Sequence, residues 1–74
     1  MARARGREAL RAARLAAGMT QQAVADELGI SLRHYQGIES GSTIGRIELW
    51  DALEDLFSVH QRELRRIARE DGPS

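Results

Sequence analysis

Thr20-Gln21-Gln22-Ala23-Val24-Ala25-Asp26-Glu27-Leu28-Gly29-Ile30-Ser31-Leu32-Arg33-His34-Tyr35-Gln36-Gly37-Ile38-Glu39-Ser40-Gly41 is the stretch whose punctuation decides the fold. Thr20 and Ser31 each precede a short run with helical spacing, and a hydroxyl there accepts one of the orphan N–H groups of a first turn. Gly29 and Gly41 each follow such a run, where a left-handed residue closes a helix. Small Ala25 lets the second run cross close to the first, and Ile30 fills the gap between them. Val24, Ala25 and Leu28 make one apolar stripe; Tyr35 and Ile38 make the next.

The same reading extends outward. Gly18 repeats the glycine spacing upstream, ahead of Thr20. The pattern predicts helices over about 7–17, 21–28, 32–40, 47–57 and 60–70. Leu10, Ala13 and Ala17 form the stripe of the first. Ile47, Trp50, Leu53 and Phe57 form that of the fourth, and Leu64, Ile67 and Ala68 that of the fifth. The one proline, Pro73, lies beyond them, and no two-residue alternation is long enough for a strand. The expected fold is all-α. Residues 1–6 read as a basic arm, 7–70 as the domain and 71–74 as a tail.

Composition narrows the function. A chain of 74 residues has a marginal core, and its complete lack of cysteine removes disulfides and thiolate metal sites as staples. The remaining staple is a second subunit. No secretory signal and no apolar run of membrane-spanning length are present, which points to the cytoplasm and away from membranes. The net charge is zero, yet unevenly placed. Residues 1–37 hold six arginines against three acids, whereas 38–59 hold only Arg46 against five acids. Glu48, Asp51, Glu54 and Asp55 form a solvated acidic face with no partner for acid–base work. With no phosphate-binding glycine loop, serine elbow or metal-ligand spacing, neither an enzyme nor a cofactor or metal is expected.

Two short helices joined by a tight glycine turn form a helix-turn-helix, in which the first turn of the second helix projects outward. The DNA major groove is wide enough to admit it. The residues from Thr20 to Ser31, followed by Tyr35-Gln36-Gly37-Ile38-Glu39-Ser40-Gly41, resemble the lambda-repressor-like (Cro/cI, XRE) helix-turn-helix family. Leu10, Arg11, Arg14, Gly18 and Met19 upstream extend the resemblance, as do Ile47, Glu48, Leu53, Phe57, Val59, Glu63 and Leu64 downstream. Together they cover residues 9–65.

The resemblance implies a compact five-helix domain that binds double-stranded DNA. Gln21 corresponds to a glutamine that touches a phosphate and buttresses the recognition helix. Ser31, Leu32, Arg33 and His34 fall in the first turn of that helix. Arg33 suits guanine O6 and N7. His34 is either a base or phosphate donor or a solvated side chain; Leu32 meets either a thymine methyl or the edge of the core. Gln36 lies on the polar side. Gly37 stands where many relatives carry a long polar reader. Ser42, Thr43 and Arg46 occupy a loop that relatives use to clamp phosphate, here with a single cation. Arg3, Arg5 and Arg7 offer an N-terminal arm for the backbone or a minor groove. Arg14 and Glu39 match a partly buried ion pair between the first and third helices. Relatives of this size act as small regulators, Cro-like, controller-like or antitoxin-like. A two-fold homodimer suits a palindromic operator. Leu49, Leu56, Val59 and Leu64 add apolar positions outside the first stripes, which either form an interface through helices four and five, with Leu49 exposed, or complete the monomer core. The alternative is a protein-interaction module that keeps the fold and engages a protein partner.

Overall fold

The computed structural model describes residues 6–67; Arg3, Arg5, Ala68 and the expected tail lie outside them. Five helices follow one another: α1 Glu8–Ala16, α2 Gln21–Leu28, α3 Leu32–Ser40, α4 Ile47–Phe57 and α5 Gln61–Arg65. Among the described residues there is no strand, and no helix is long and apolar enough to cross a membrane.

The helix ends form where the local chemistry places them. Thr20 Oγ1 accepts from Ala23 N at 3.0 Å and Ser31 Oγ from His34 N at 3.0 Å, so both inner helices are capped by a hydroxyl. Gly29 and Gly41 close α2 and α3 in the left-handed conformation. After Gly29, Ile30 N returns to Ala25 O at 3.0 Å, which holds the turn tight.

The core is a single cluster of Leu10, Val24, Ala25, Tyr35, Ile38, Trp50, Leu53 and Leu64. α2 packs on α3 and α4, α1 packs on α5 and α3, and α4 packs on α5. α3 is therefore held from behind by its own Tyr35, Ile38 and Glu39, all buried, while Arg33, His34 and Gln36 stay exposed.

Three expectations are corrected by the packing. Ile47 is 58% exposed instead of part of the core stripe. Loop residues cover the start of the α4 stripe instead: Trp50 Nε1 donates to Ile44 O at 2.8 Å. An added Cβ at Gly45 (φ +84°) would lie 3.1 Å from Trp50 Nε1 and 2.9 Å from Ile38 Cδ1. Glycine at this position meets both a left-handed backbone and a close approach to the core. Of the two readings of Leu49, Leu56, Val59 and Leu64, the described residues show the core one: Leu64 is in the core and the other three pack partly buried against it. Ala17, expected in the first helix's apolar stripe, is the exposed C-cap of α1, one residue past the last helical turn. The fifth helix stops at Arg65, and Arg66 is already extended. The Arg65 carbonyl accepts from the Arg7 side chain at 2.9 Å, where a longer helix would use it in its own ladder. Ile67, now past the helix, is 38% exposed.

Candidate nucleic-acid interface

Arg7 departs most from its expected place. It is 5% exposed, not part of a free arm. Its guanidinium donates from Nη1 to Ile38 O at 2.6 Å and to Thr43 O at 2.8 Å, and from Nε to Arg65 O. Its head lies 5.1 Å from the Trp50 ring centroid, within cation–π range. Among the described residues no carboxylate is in ion-pair range of it. Burial, and secondarily the charge of Arg65, lowers its pKa, yet an arginine so far above neutrality stays charged. Carbonyls from the end of α3, the α3–α4 loop and the end of α5 thus converge on one cation. The signal in the sequence was spacing: Arg7, Leu10 and Arg14 recur at i, i+3 and i+7, on the buried side of α1.

A second polar cluster lies behind α3. Arg14 donates from Nε to Glu39 Oε2 at 2.7 Å and from Nη2 to Oε1 at 3.2 Å, and its Nη1 holds Met19 O at 2.9 Å. The Tyr35 hydroxyl donates to the same Oε2 at 2.7 Å, and Gln21 Nε2 to Oε1 at 2.9 Å. Every buried side-chain nitrogen and oxygen among the described residues has a partner. Burial by itself would raise the Glu39 pKa, but the hydrogen bonds from Arg14, Tyr35 and Gln21 outweigh it and hold the carboxyl below its usual range. Burial, reinforced by the bond to Glu39, pushes the Tyr35 hydroxyl far up. The bond to Glu39 raises Arg14. Tyr35 is the member that sequence reasoning placed only as core; it lies four residues before Glu39 on the same helix face.

This cluster reaches the surface through Gln21. The Gln21 Oε1 accepts from Gln36 Nε2 at 3.2 Å, so the first residue of α2 ties an exposed side chain of α3 to the buried carboxylate. Gln21, Gln36, Glu39 and Ser40 line a cleft of about 340 Å³ together with Arg7, Glu8 and Arg11 at the start of α1.

The remaining site candidates divide into three groups. Ser42 and Thr43 fold back over α3: Thr43 N donates to Gly37 O at 3.1 Å, and the Ser42 hydroxyl reaches the same carbonyl at 3.4 Å. An added Cβ at Gly37 would lie 2.8 Å from Thr43 Oγ1. The missing side chain at Gly37 is therefore what lets the loop close on the helix. On the other side, His34 and Arg46 line one cleft of about 390 Å³ with Leu28, Ile30 and Leu49. Arg33 is exposed, and Leu32 is half-buried at the base of the first turn.

The sequence pattern of the helix-turn-helix family matches residues 10–64, from the buried Leu10 of α1 to the buried Leu64 of α5. This chain belongs to the Cro/cI/XRE-type helix-turn-helix family. Comparisons with curated proteins and with solved structures found no match. The helix-turn-helix proper is α2, the turn at Gly29–Ser31, and α3. The family is one of DNA-binding transcription regulators; in this chain the helix after the turn, α3, keeps its Arg33, His34 and Gln36 face outward. In this member of the helix-turn-helix family that face is supported twice from behind, by the Glu39 cluster at α1–α2 and by Arg7 at the α3–α4 loop.

Proposed function

We propose that this chain is a small transcription regulator that binds a specific double-stranded operator through α3. The observation that carries the reading is the outward first turn of α3. Arg33 and His34 are exposed beside the Ser31 cap, and Gln36 is held by Gln21. Arg33 supplies a guanidinium fork for guanine O6 and N7, and Gln36 an amide for a neighbouring base. Leu32 lies at the edge toward a thymine methyl. Phosphate contacts come from Gln21, His34, Arg46 and the Ser42–Thr43 loop, with Arg5 ahead of the domain. Such contacts position the helix and make affinity fall steeply with salt. The loop carries one cation, so affinity per subunit is modest.

Modest affinity per subunit favours two subunits. A two-fold dimer through α4 and α5 sets two copies of α3 about 34 Å apart, in successive major grooves of a palindrome. Among the described residues of this half of the chain, the exposed large apolar side chains are Ile44, Ile47 and Ile67. The site of action is the cytoplasm, where the operator is.

A selection of random duplexes on the purified protein, with its mass measured in the same buffer, tests the reading. An enriched palindrome with half-sites about one helical turn apart, bound by a dimer, is the expected result. No enrichment at low salt from a protein folded by circular dichroism overturns it and directs the search to a protein partner.

A further inference from the structure

The hydrogen-bond chain that runs from Glu39 to Gln36 has a direction. An ionised carboxylate only accepts, so the Gln21 group 2.9 Å from Glu39 Oε1 must be its Nε2. The Gln21 Oε1 is thereby turned to Gln36, and an oxygen there demands a donor. Gln36 must answer with its own Nε2, at 3.2 Å. Neither amide is free to flip, because either flip sets two like groups face to face. What Gln36 has left for a ligand is one N–H of Nε2 beside the free lone pairs of Oε1, a donor next to an acceptor.

We propose that Glu39, buried and out of reach of DNA, selects the base that Gln36 reads by fixing this amide order through Gln21. The proposal rests on the reading of α3 as the recognition helix. A donor beside an acceptor matches adenine, which offers N7 to accept and N6–H to donate. It opposes guanine, whose N7 and O6 both accept, because the Gln36 oxygen would then face O6. Glu39 is thus a positioning residue with an effect on specificity, separate from its structural bond to Arg14.

The chain reverses when its origin becomes a donor. In Glu39→Gln, two close donors, Arg14 Nε and Tyr35 Oη, each 2.7 Å from Oε2, outweigh the longer 3.2 Å contact of Arg14 Nη2 to Oε1 and hold the amide oxygen on the Oε2 side. The new NH₂ then takes the Oε1 side, facing Gln21. Gln21 turns its oxygen inward and its Nε2 outward. Gln36 now gives Oε1 to Gln21 and presents the two N–H groups of Nε2, a donor pair that matches guanine.

Random-duplex selection on the wild type, Gln36→Ala, Glu39→Gln and Gln21→Leu tests this, each protein first shown to be folded by circular dichroism. Gln36→Ala identifies the half-site position by losing its letter there. The wild type is expected to prefer adenine to guanine at that position by about ten-fold or more, the size of one bidentate contact. Glu39→Gln is expected to move that single letter to guanine with the others unchanged. Gln21→Leu, which cuts the chain and spares the ion pair, is expected to bring the adenine-to-guanine ratio close to one. It carries the test by itself if Glu39→Gln does not fold. An unchanged motif with weaker binding in Glu39→Gln, or full adenine preference in Gln21→Leu, overturns the proposal and leaves the DNA-binding reading standing. A wild type that enriches no motif removes both.

Discussion

Replacing Arg14 by methionine removes three hydrogen bonds while keeping most of the side-chain volume. Two went to Glu39, at 2.7 and 3.2 Å, and one to Met19 O at 2.9 Å. The carboxylate that remains is 6% exposed, with only Tyr35 and Gln21 as donors. Breaking one side of a buried pair costs about 3–5 kcal/mol, because the other charge is left without its partner. A domain of this size has about 4–11 kcal/mol in total. Each kcal/mol moves its midpoint by about 4–8 °C, so Arg14→Met is expected to lower Tm by at least ~12 °C. The pH dependence supplies the sharper arm. In the wild type the Glu39 pKa is depressed below its ordinary value of 4.5. Its contribution is therefore present above that value and is lost as pH falls through the lower folded value. In the variant, burial acts without Arg14 and favours the protonated acid. The gap between the two proteins should be widest near pH 7 and narrow below about pH 4.5. Thermal unfolding by circular dichroism at several pH values measures both. A loss below about 1 kcal/mol, the size of an exposed pair, or a gap that stays constant from pH 7 to 4, would refute the reasoning.

Arg7→Met leaves the carbonyls of Ile38, Thr43 and Arg65 without that donor. It should cost about 2–4 kcal/mol in chemical denaturation, whereas exposed Arg11→Ala should change stability by less than about 0.5 kcal/mol. Gly37→Ala should gain none of the ~1 kcal/mol that alanine normally brings to a helix interior, because Thr43 Oγ1 stands 2.8 Å from the new Cβ. The gain should return in Gly37→Ala/Thr43→Ala, measured by thermal melting. Arg33→Ala should leave Tm unchanged and weaken binding to the selected operator by about 1–3 kcal/mol, relaxing preference at one guanine; an unchanged affinity by fluorescence anisotropy counts against the base contact. At the alkaline end, the raised Tyr35 pKa keeps its hydroxyl neutral in the fold, so stability should fall as pH rises past the ordinary tyrosine value of 10.0.

The sequence by itself determined the five-helix order, the turn and the caps. These depend on neighbours within about four residues, and Thr20, Gly29, Ser31 and Gly41 act within that range. The inner face of α3 was legible for the same reason, since Tyr35 and Ile38 obey helical spacing. Tertiary structure decided what depends on partners far along the chain. Arg7 looked like one more arginine of a basic arm, and its three acceptors lie 31, 36 and 58 residues away. The Arg65 carbonyl at the end of α5 is one of those three acceptors. Ile47 fits the α4 spacing as well as Trp50 does, and only the course of the loop at Ile44 and Gly45 settles which of the two is covered. Gly37 looked like a lost reader until Thr43 was seen lying against it. Local spacing sets which way a side chain points along its own helix. Whether that direction ends in water, in a carbonyl or in another side chain is set by what the rest of the chain brings there.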